Sequence, residues 1–220
     1  NQENTQRFYS AVKDIISRSQ DEESLWNQIS SLNQFTEDEI FSDLIVLIGA
    51  GSETAAHTLV AILYYLKKFP NTAKKLKSEL DKIGIRKGCN LEETFTMDNL
   101  QEWEYLGNTI KEGLRMDPAV SQSIYYEAFK GTKIWGVPID KGTIMKYEII
   151  TSSYDENDWL NPWTFEPERH DIESEFYNLS KNQGKTQNIY SKRTFSHGPR
   201  NGPGMTYAQL ELKVMLAYFI

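Results

Sequence analysis

Phe195–Gly204 reads FSHGPRNGPG, and the reading of this stretch decides what the chain is. Glycines at 198, 202 and 204 permit a close backbone approach to something flat and bulky, since they carry no Cβ and tolerate positive φ. Pro199 and Pro203 stiffen the path, and Arg200 adds a permanent cation suited to a carboxylate. The composition is equally that of an ordinary surface turn. The run Met205–Ile220 that follows predicts an amphipathic helix with Tyr207, Leu210, Val214 and Leu216 on its apolar face.

Working outward, residues 35–69 hold the second anchor. Thr36 and Glu39 form a T-x-x-E capping box ahead of an apolar run that reaches Leu66, and Pro70 stops it. This predicts one helix of about 50 Å at 1.5 Å per residue, apolar on most sides and hence central. Ser52, Glu53, Thr54 and His57 interrupt it and disfavour a membrane span. A dinucleotide-binding turn at Gly49–Gly51 lacks its third glycine. Gly49 and Gly51 each weaken such a helix by about 1 kcal/mol relative to alanine. They serve either a close contact with a neighbouring element or a local opening beside which a ligand sits. In the second case Glu53 and Thr54 form an acid–alcohol pair able to relay protons.

The remainder reads as a mostly helical body with a small antiparallel sheet. Residues 1–34 suggest two modest helices, the first with Phe8, Val12, Ile15 and Ile16 on one face. Residues 71–95 are amphipathic and lysine-rich. Residues 96–118 form a capped helical region in which Glu112 and Arg115 share a face, either as a weak surface pair or as a costly buried one. Strands are expected at Ile124–Phe129, Lys133–Ile139 and Thr143–Ile150, with a turn at Lys141-Gly142. Residues 155–170 read as loop and 171–194 as a polar surface excursion.

Composition narrows the function classes. The 220 residues carry a formal charge of −7 with no block of like charge, which gives no reason to expect nucleic-acid binding. Cys89 is the single cysteine, so no internal disulfide or cysteine-rich metal centre is expected. His57, His170 and His197 show no helix-spaced metal pair. The polar start predicts no signal peptide, and no transmembrane segment is expected.

In order and spacing, four motifs resemble the C-terminal half of a cytochrome P-450. Ala50-Gly51-Ser52-Glu53-Thr54 matches A/G-G-x-D/E-T, Glu112-Gly113-Leu114-Arg115 matches E-x-x-R, and Phe165–His170 matches F-x-P-x-R-F with histidine last. Phe195–Gly204 matches the haem loop F-x-x-G-x-R-x-C-x-G, continued by Ala208 and Glu211. The Ile139–Thr143 turn, I-x-K-G-T, also fits. The resemblance implies a single partial domain over 1–220: mainly α with a small antiparallel sheet. It implies haem as cofactor, with Ala50, Gly51, Phe195, Gly198, Arg200, Gly202 and Gly204 around it and Arg200 at a propionate. Glu53 and Thr54 would deliver protons to bound dioxygen, and Glu112, Arg115 and Arg169 would form a buried triad beneath the loop. A reductase and an apolar small-molecule substrate follow as partners of an active enzyme. A missing N-terminal half, in the same protein or another subunit, follows from the short ends, and any membrane anchor belongs there.

The chain departs from the family where its chemistry resides. Gly202 stands at the cysteine position, so no axial thiolate and no metal ligand is expected from the loop, and His197 lies five residues too early to replace it. Where the family often places a basic residue for a propionate, near Ile124–Phe129, this chain has Tyr125 and Tyr126.

Overall fold

The computed structural model describes residues 2–18, 23–185, 191 and 194–220. It falls into two compact units, residues 1–53 and 54–220. In the first, α1 (Gln2–Arg18) and α2 (Leu25–Ser31) precede α3 (Glu37–Lys68), which continues into the second. Of the face expected on α1, Val12 is buried, while Phe8 and Ile15 are exposed. The capping box forms as read. The Glu39 N–H donates to Thr36 Oγ1 at 3.3 Å, and the Thr36 N–H donates to Glu39 Oε2 at 2.8 Å.

α3 is regular throughout, so the glycines do not open it; a Cβ at Gly49 or Gly51 would meet nothing within 4 Å. The hydroxyl of Ser52 donates to the Ile48 carbonyl (2.8 Å), and that of Thr58 to the Thr54 carbonyl (2.9 Å). By length and composition α3 could cross a membrane, and only 22% of its most apolar window is buried. The expectation of a helix enclosed on most sides is corrected accordingly. Val46, Leu47 and Ile48 lie exposed, as do Val60 and Tyr64 further along.

In the second unit, α4 (Pro70–Lys82) starts directly at the proline that ends α3. A short α5 (Leu91–Thr94) lies at the end of the lysine-rich stretch, and the capped region expected over 96–118 is two helices, α6 (Met97–Glu102) and α7 (Glu104–Met116), separated at Trp103. Glu79 of α4 caps α7, accepting the N–H groups of Tyr105 (2.7 Å) and Leu106 (2.8 Å). The core packs Ile62 and Leu66 of α3 with Leu76, Leu80, Leu106 and Ile110, and with Leu212 and Leu216 of the last helix.

Four short strands follow: β1 (Tyr126–Glu127), β2 (Thr132–Ile134), β3 (Val137–Ile139) and β4 (Ile144–Met145). They make two separate antiparallel pairs, β1 with β4 and β2 with β3. The strand expected over Thr143–Ile150 gives way to α8 (Ile149–Ser153), because the Ser121 carbonyl accepts the N–H of Ile149 (2.8 Å) and of Ile150 (3.2 Å) and turns the chain. A 3-10 turn (Pro167–His170) and α9 (Glu175–Asn182) interrupt segments expected as loop and excursion. The rest of that excursion falls partly outside the described residues. In α10 (Met205–Phe219) the buried stripe is Leu212, Leu216 and Ala217; Tyr207 and Val214 of the expected face are exposed.

Candidate functional site

Glu112 is the centre of the site. It projects from α7, fully buried, and its carboxylate accepts five hydrogen bonds. Oε1 takes Arg115 Nη2 (2.8 Å), Arg169 Nε (3.1 Å) and the Glu166 N–H (3.0 Å). Oε2 takes Arg115 Nε (2.9 Å) and His170 Nε2 (2.9 Å). An ionised carboxylate only accepts, so His170 carries its proton on Nε2. Burial opposes the charge on Glu112; the His170 hydrogen bond and the Arg115 guanidinium outweigh it and hold the carboxyl well below the usual carboxylate range. The alternative left open by the E-x-x-R spacing is thereby resolved as a buried pair.

The two arginines do more than balance the charge. Arg115 donates to the carbonyls of Ser153 (2.6 Å) and Pro162 (2.8 Å), and Arg169 to those of Leu160 (2.5 Å) and Asn161 (3.1 Å). Both guanidinium groups also lie over the Trp159 ring. An irregular segment is thus held by side chains where no ladder satisfies its carbonyls. Burial lowers the Arg169 pKa, against the opposing pull of Glu112.

Beside this cluster lies a second group of acids. Glu168 pairs with Lys75 of α4 and meets the Tyr105 hydroxyl at 3.4 Å. Burial, reinforced by a hydrogen bond to Glu168, pushes Glu166 up to about 8. On Glu168 burial acts in the same direction, yet hydrogen bonds from Glu166 and Lys75 outweigh it and its pKa falls. Glu166 therefore holds the proton of the pair.

The Phe195–Gly204 loop folds back on itself. The Gly202 N–H donates to the Phe195 carbonyl (2.8 Å), and the Asn201 N–H to the Gly198 carbonyl (3.0 Å). Gly198 adopts φ 84°, a conformation that needs glycine. The Thr194 hydroxyl donates to the Leu114 carbonyl at 3.3 Å and ties the loop's start to α7. Phe195 packs against the core, whereas His197 and Arg200 are exposed, and Gly204 opens α10. A Cβ at Gly202 would stand 3.2 Å from Phe195 Cδ1, so the ring closes on the face where a side chain would leave the backbone.

Four sequence-defined groups are thus located. Glu112, Arg115 and Arg169 converge, and Phe195 meets Gly202. Ala50, Gly51 and Glu53 are exposed on α3 and Thr54 is half-buried there. His170 is the member that sequence reading did not assign. Its signal was the histidine in the last place of the F-x-P-x-R-F segment.

A family model for cytochrome P450 matches residues 3–220. The chain belongs to the cytochrome P450 family. It is 33% identical over 178 residues to cytochrome P450 3A15 of Cavia porcellus, covering 81% of this chain and 32% of that protein. It is 31% identical over 189 residues to cytochrome P450 3A6 of Oryctolagus cuniculus, covering 86% and 35%. Against cytochrome P450 3A9 of Rattus norvegicus the identity is 32% over 178 residues, covering 81% and 32%. The chain spans about a third of the length of these curated relatives. The mainly helical architecture with small antiparallel pairs is that of a partial P450 fold.

The cofactor of a P450 is haem. The donor set of this loop does not fit a thiolate-ligated haem. Gly202 offers no ligand atom, and the face its side chain would use lies against Phe195. Cys89, the single cysteine, sits in the turn after α4.

Proposed function

We propose that this chain is a catalytically impaired member of a haem monooxygenase family, serving as a pseudoenzyme or as a structural subunit of the P450 fold. The observation that carries the reading is Gly202 at the ligand position, with the Phe195 ring 3.2 Å from where a Cβ would stand. Oxygen activation in this family relies on a cysteine thiolate on the iron, and no residue of the loop supplies one. The buried Glu112–Arg115–Arg169–His170 cluster then acts as scaffold, fixing residues 153–164 and, through α7, the start of the loop. The remaining two thirds of the relatives' length, in the same protein or in another subunit, is the partner this role requires.

A second reading is favoured by the E-T pair of α3 together with the complete cluster. In it the full-length protein is a monooxygenase that places one oxygen atom on an apolar small molecule with electrons from a reductase. Glu53 and Thr54 would pass protons, Arg200 would hold a propionate, and Gly198 and Gly204 would let the backbone approach the ring. Ala50 and Gly51 would leave room above it.

The absorption spectrum of the reduced, CO-treated protein separates the readings. The chain with glycine at 202 is expected to lack the red-shifted thiolate band. Gly202→Cys, expressed with the rest of the P450 length, is expected to gain it after a small shift of Phe195. A thiolate band from the unmodified chain would sink the first reading.

A further inference from the structure

A cleft of about 480 Å³, a size usual for small-molecule sites, lies between α4 with its following turn and the last turn of α10. None of its residues belongs to the Glu112 cluster or to the 195–204 loop. Its buried lining is apolar, from Leu80, Ile85 and Ala217. Tyr218 and Phe219 also line it; both are exposed, and their rings meet edge to face at 5.7 Å. The turn Arg86–Cys89 supplies most of the polar lining. The Cys89 N–H donates to the Arg86 carbonyl (2.9 Å), and Gly88, at φ 89°, lets the chain reverse there. The Ile85 N–H donates to the Leu80 carbonyl, also at 2.9 Å, and ties the turn back to α4.

The charge of the cleft has one sign. Lys77, Arg86 and Lys87 line it, and no aspartate or glutamate does. Lys77 pairs with Asp81 at 3.1 Å, whereas among the described residues Arg86 and Lys87 have no salt bridge. The excess is local: residues 67–87 hold eight lysines and arginines against Glu79 and Asp81, in a chain of net charge −7. Apolar walls beside cations without partners suit an amphipathic anion. Its tail removes apolar surface from water, and a guanidinium can hold its carboxylate with two parallel hydrogen bonds. A neutral apolar molecule would leave the cations unused, and an inorganic anion would leave the rings unused.

We propose that this cleft binds an organic carboxylate with an aliphatic or aromatic tail, the carboxylate at Arg86 and Lys87 and the tail against Leu80, Ala217 and Phe219. Cys89 makes the site testable. It lines the cleft, is half-buried and is the single cysteine of the chain, so its alkylation reports this place alone.

The experiment uses the 220-residue chain, decanoate as probe, decanol as its uncharged comparison and neutral iodoacetamide as the label. Calorimetry gives the Kd of decanoate. At ten times that Kd, decanoate is expected to slow labelling of Cys89 by about tenfold, as occupancy dictates, and decanol at the same concentration to slow it far less. Arg86→Gln with Lys87→Gln is expected to weaken decanoate binding by about tenfold through loss of the charge-assisted bonds. Its thermal midpoint should not move, since both side chains are exposed. Labelling that stays unchanged up to millimolar decanoate overturns the proposal, including the case in which calorimetry finds decanoate bound to another face, such as α3. Equal protection by decanol, or an unchanged decanoate affinity in the double variant, overturns it as well, because the cations would then take no part.

Discussion

Glu112 is a carboxylate that the fold cannot release, and His170 is the donor with the clearest separate test. Replacing His170 by phenylalanine restores the family pattern but removes one hydrogen bond from Oε2, which keeps Arg115. The expected cost is about 1–2 kcal/mol in urea unfolding, with His170→Gln recovering most of it because an amide N–H can take over the donation. If phenylalanine leaves the midpoint unchanged, the contact contributes nothing. Glu166 supplies a pH test. Its folded pKa is raised to about 8, so the folded chain binds the extra proton, and the stabilisation is complete below the ordinary carboxylate range. That stabilisation fades as pH rises toward and past 8, and Glu166→Gln should flatten this decline. The depressed Glu112 acts oppositely: its contribution persists through mild acid and is lost only well below the usual carboxylate range. Glu112, Arg115 and Arg169 were legible because their motifs are strong. The His170 and Glu166 contacts were not, since spacing along a chain says nothing about a partner more than fifty residues away.

At Gly113 the backbone of α7 comes close to the Ile62 side chain of α3. A Cβ on Gly113 would lie 2.2 Å from Ile62 Cγ1, far inside van der Waals contact. Gly113→Ala is expected to destabilise the chain by about 1–3 kcal/mol despite its better helix propensity, measured by thermal unfolding. Combining it with Ile62→Val should recover part of the loss; a neutral Gly113→Ala would contradict the packing. The glycine between Glu112 and Arg115 is thus explained by its neighbour across the helix pair. At this scale the sequence predicted α3 to within two residues of each end, because a capping box and a proline are local signals. It overran β4, since the carbonyl of Ser121 that bends residues 149–150 into α8 comes from a distant part of the chain. It also assigned Tyr207 and Val214 to the packed face of α10, because the helix is apolar around much of its circumference and periodicity alone does not choose a side.

For the chain as a whole, covered length sets the surface. It spans about a third of its relatives, and Val46, Leu47 and Ile48 of α3 are exposed. Contiguous apolar exposure of this kind marks an interaction face. The chain is expected to bind an apolar fluorescent dye under native conditions, and serine at Val46, Leu47 and Ile48 to reduce that signal without lowering the unfolding midpoint. Equal dye binding by the triple variant would show that the exposure lies elsewhere. Family membership was legible from the motifs, whereas the enclosure of α3 was not, since the sequence pattern records what a helix could bury and not what is there to cover it.

The buried cluster also has a consequence for the order of assembly. Glu112 meets Arg169 across 57 residues, and His170 across 58. Closing a flexible loop of that size costs about 3–4 kcal/mol of chain entropy before any bond forms. During synthesis α7 therefore emerges with its central carboxylate bound by Arg115 alone, and it waits until Arg169 and His170 have left the ribosome. The full set of partners that compensates burial of the Glu112 carboxylate is therefore complete only once residues 166–170 are in place, although the apolar neighbours Ile62, Leu76 and Leu80 precede α7 in the chain.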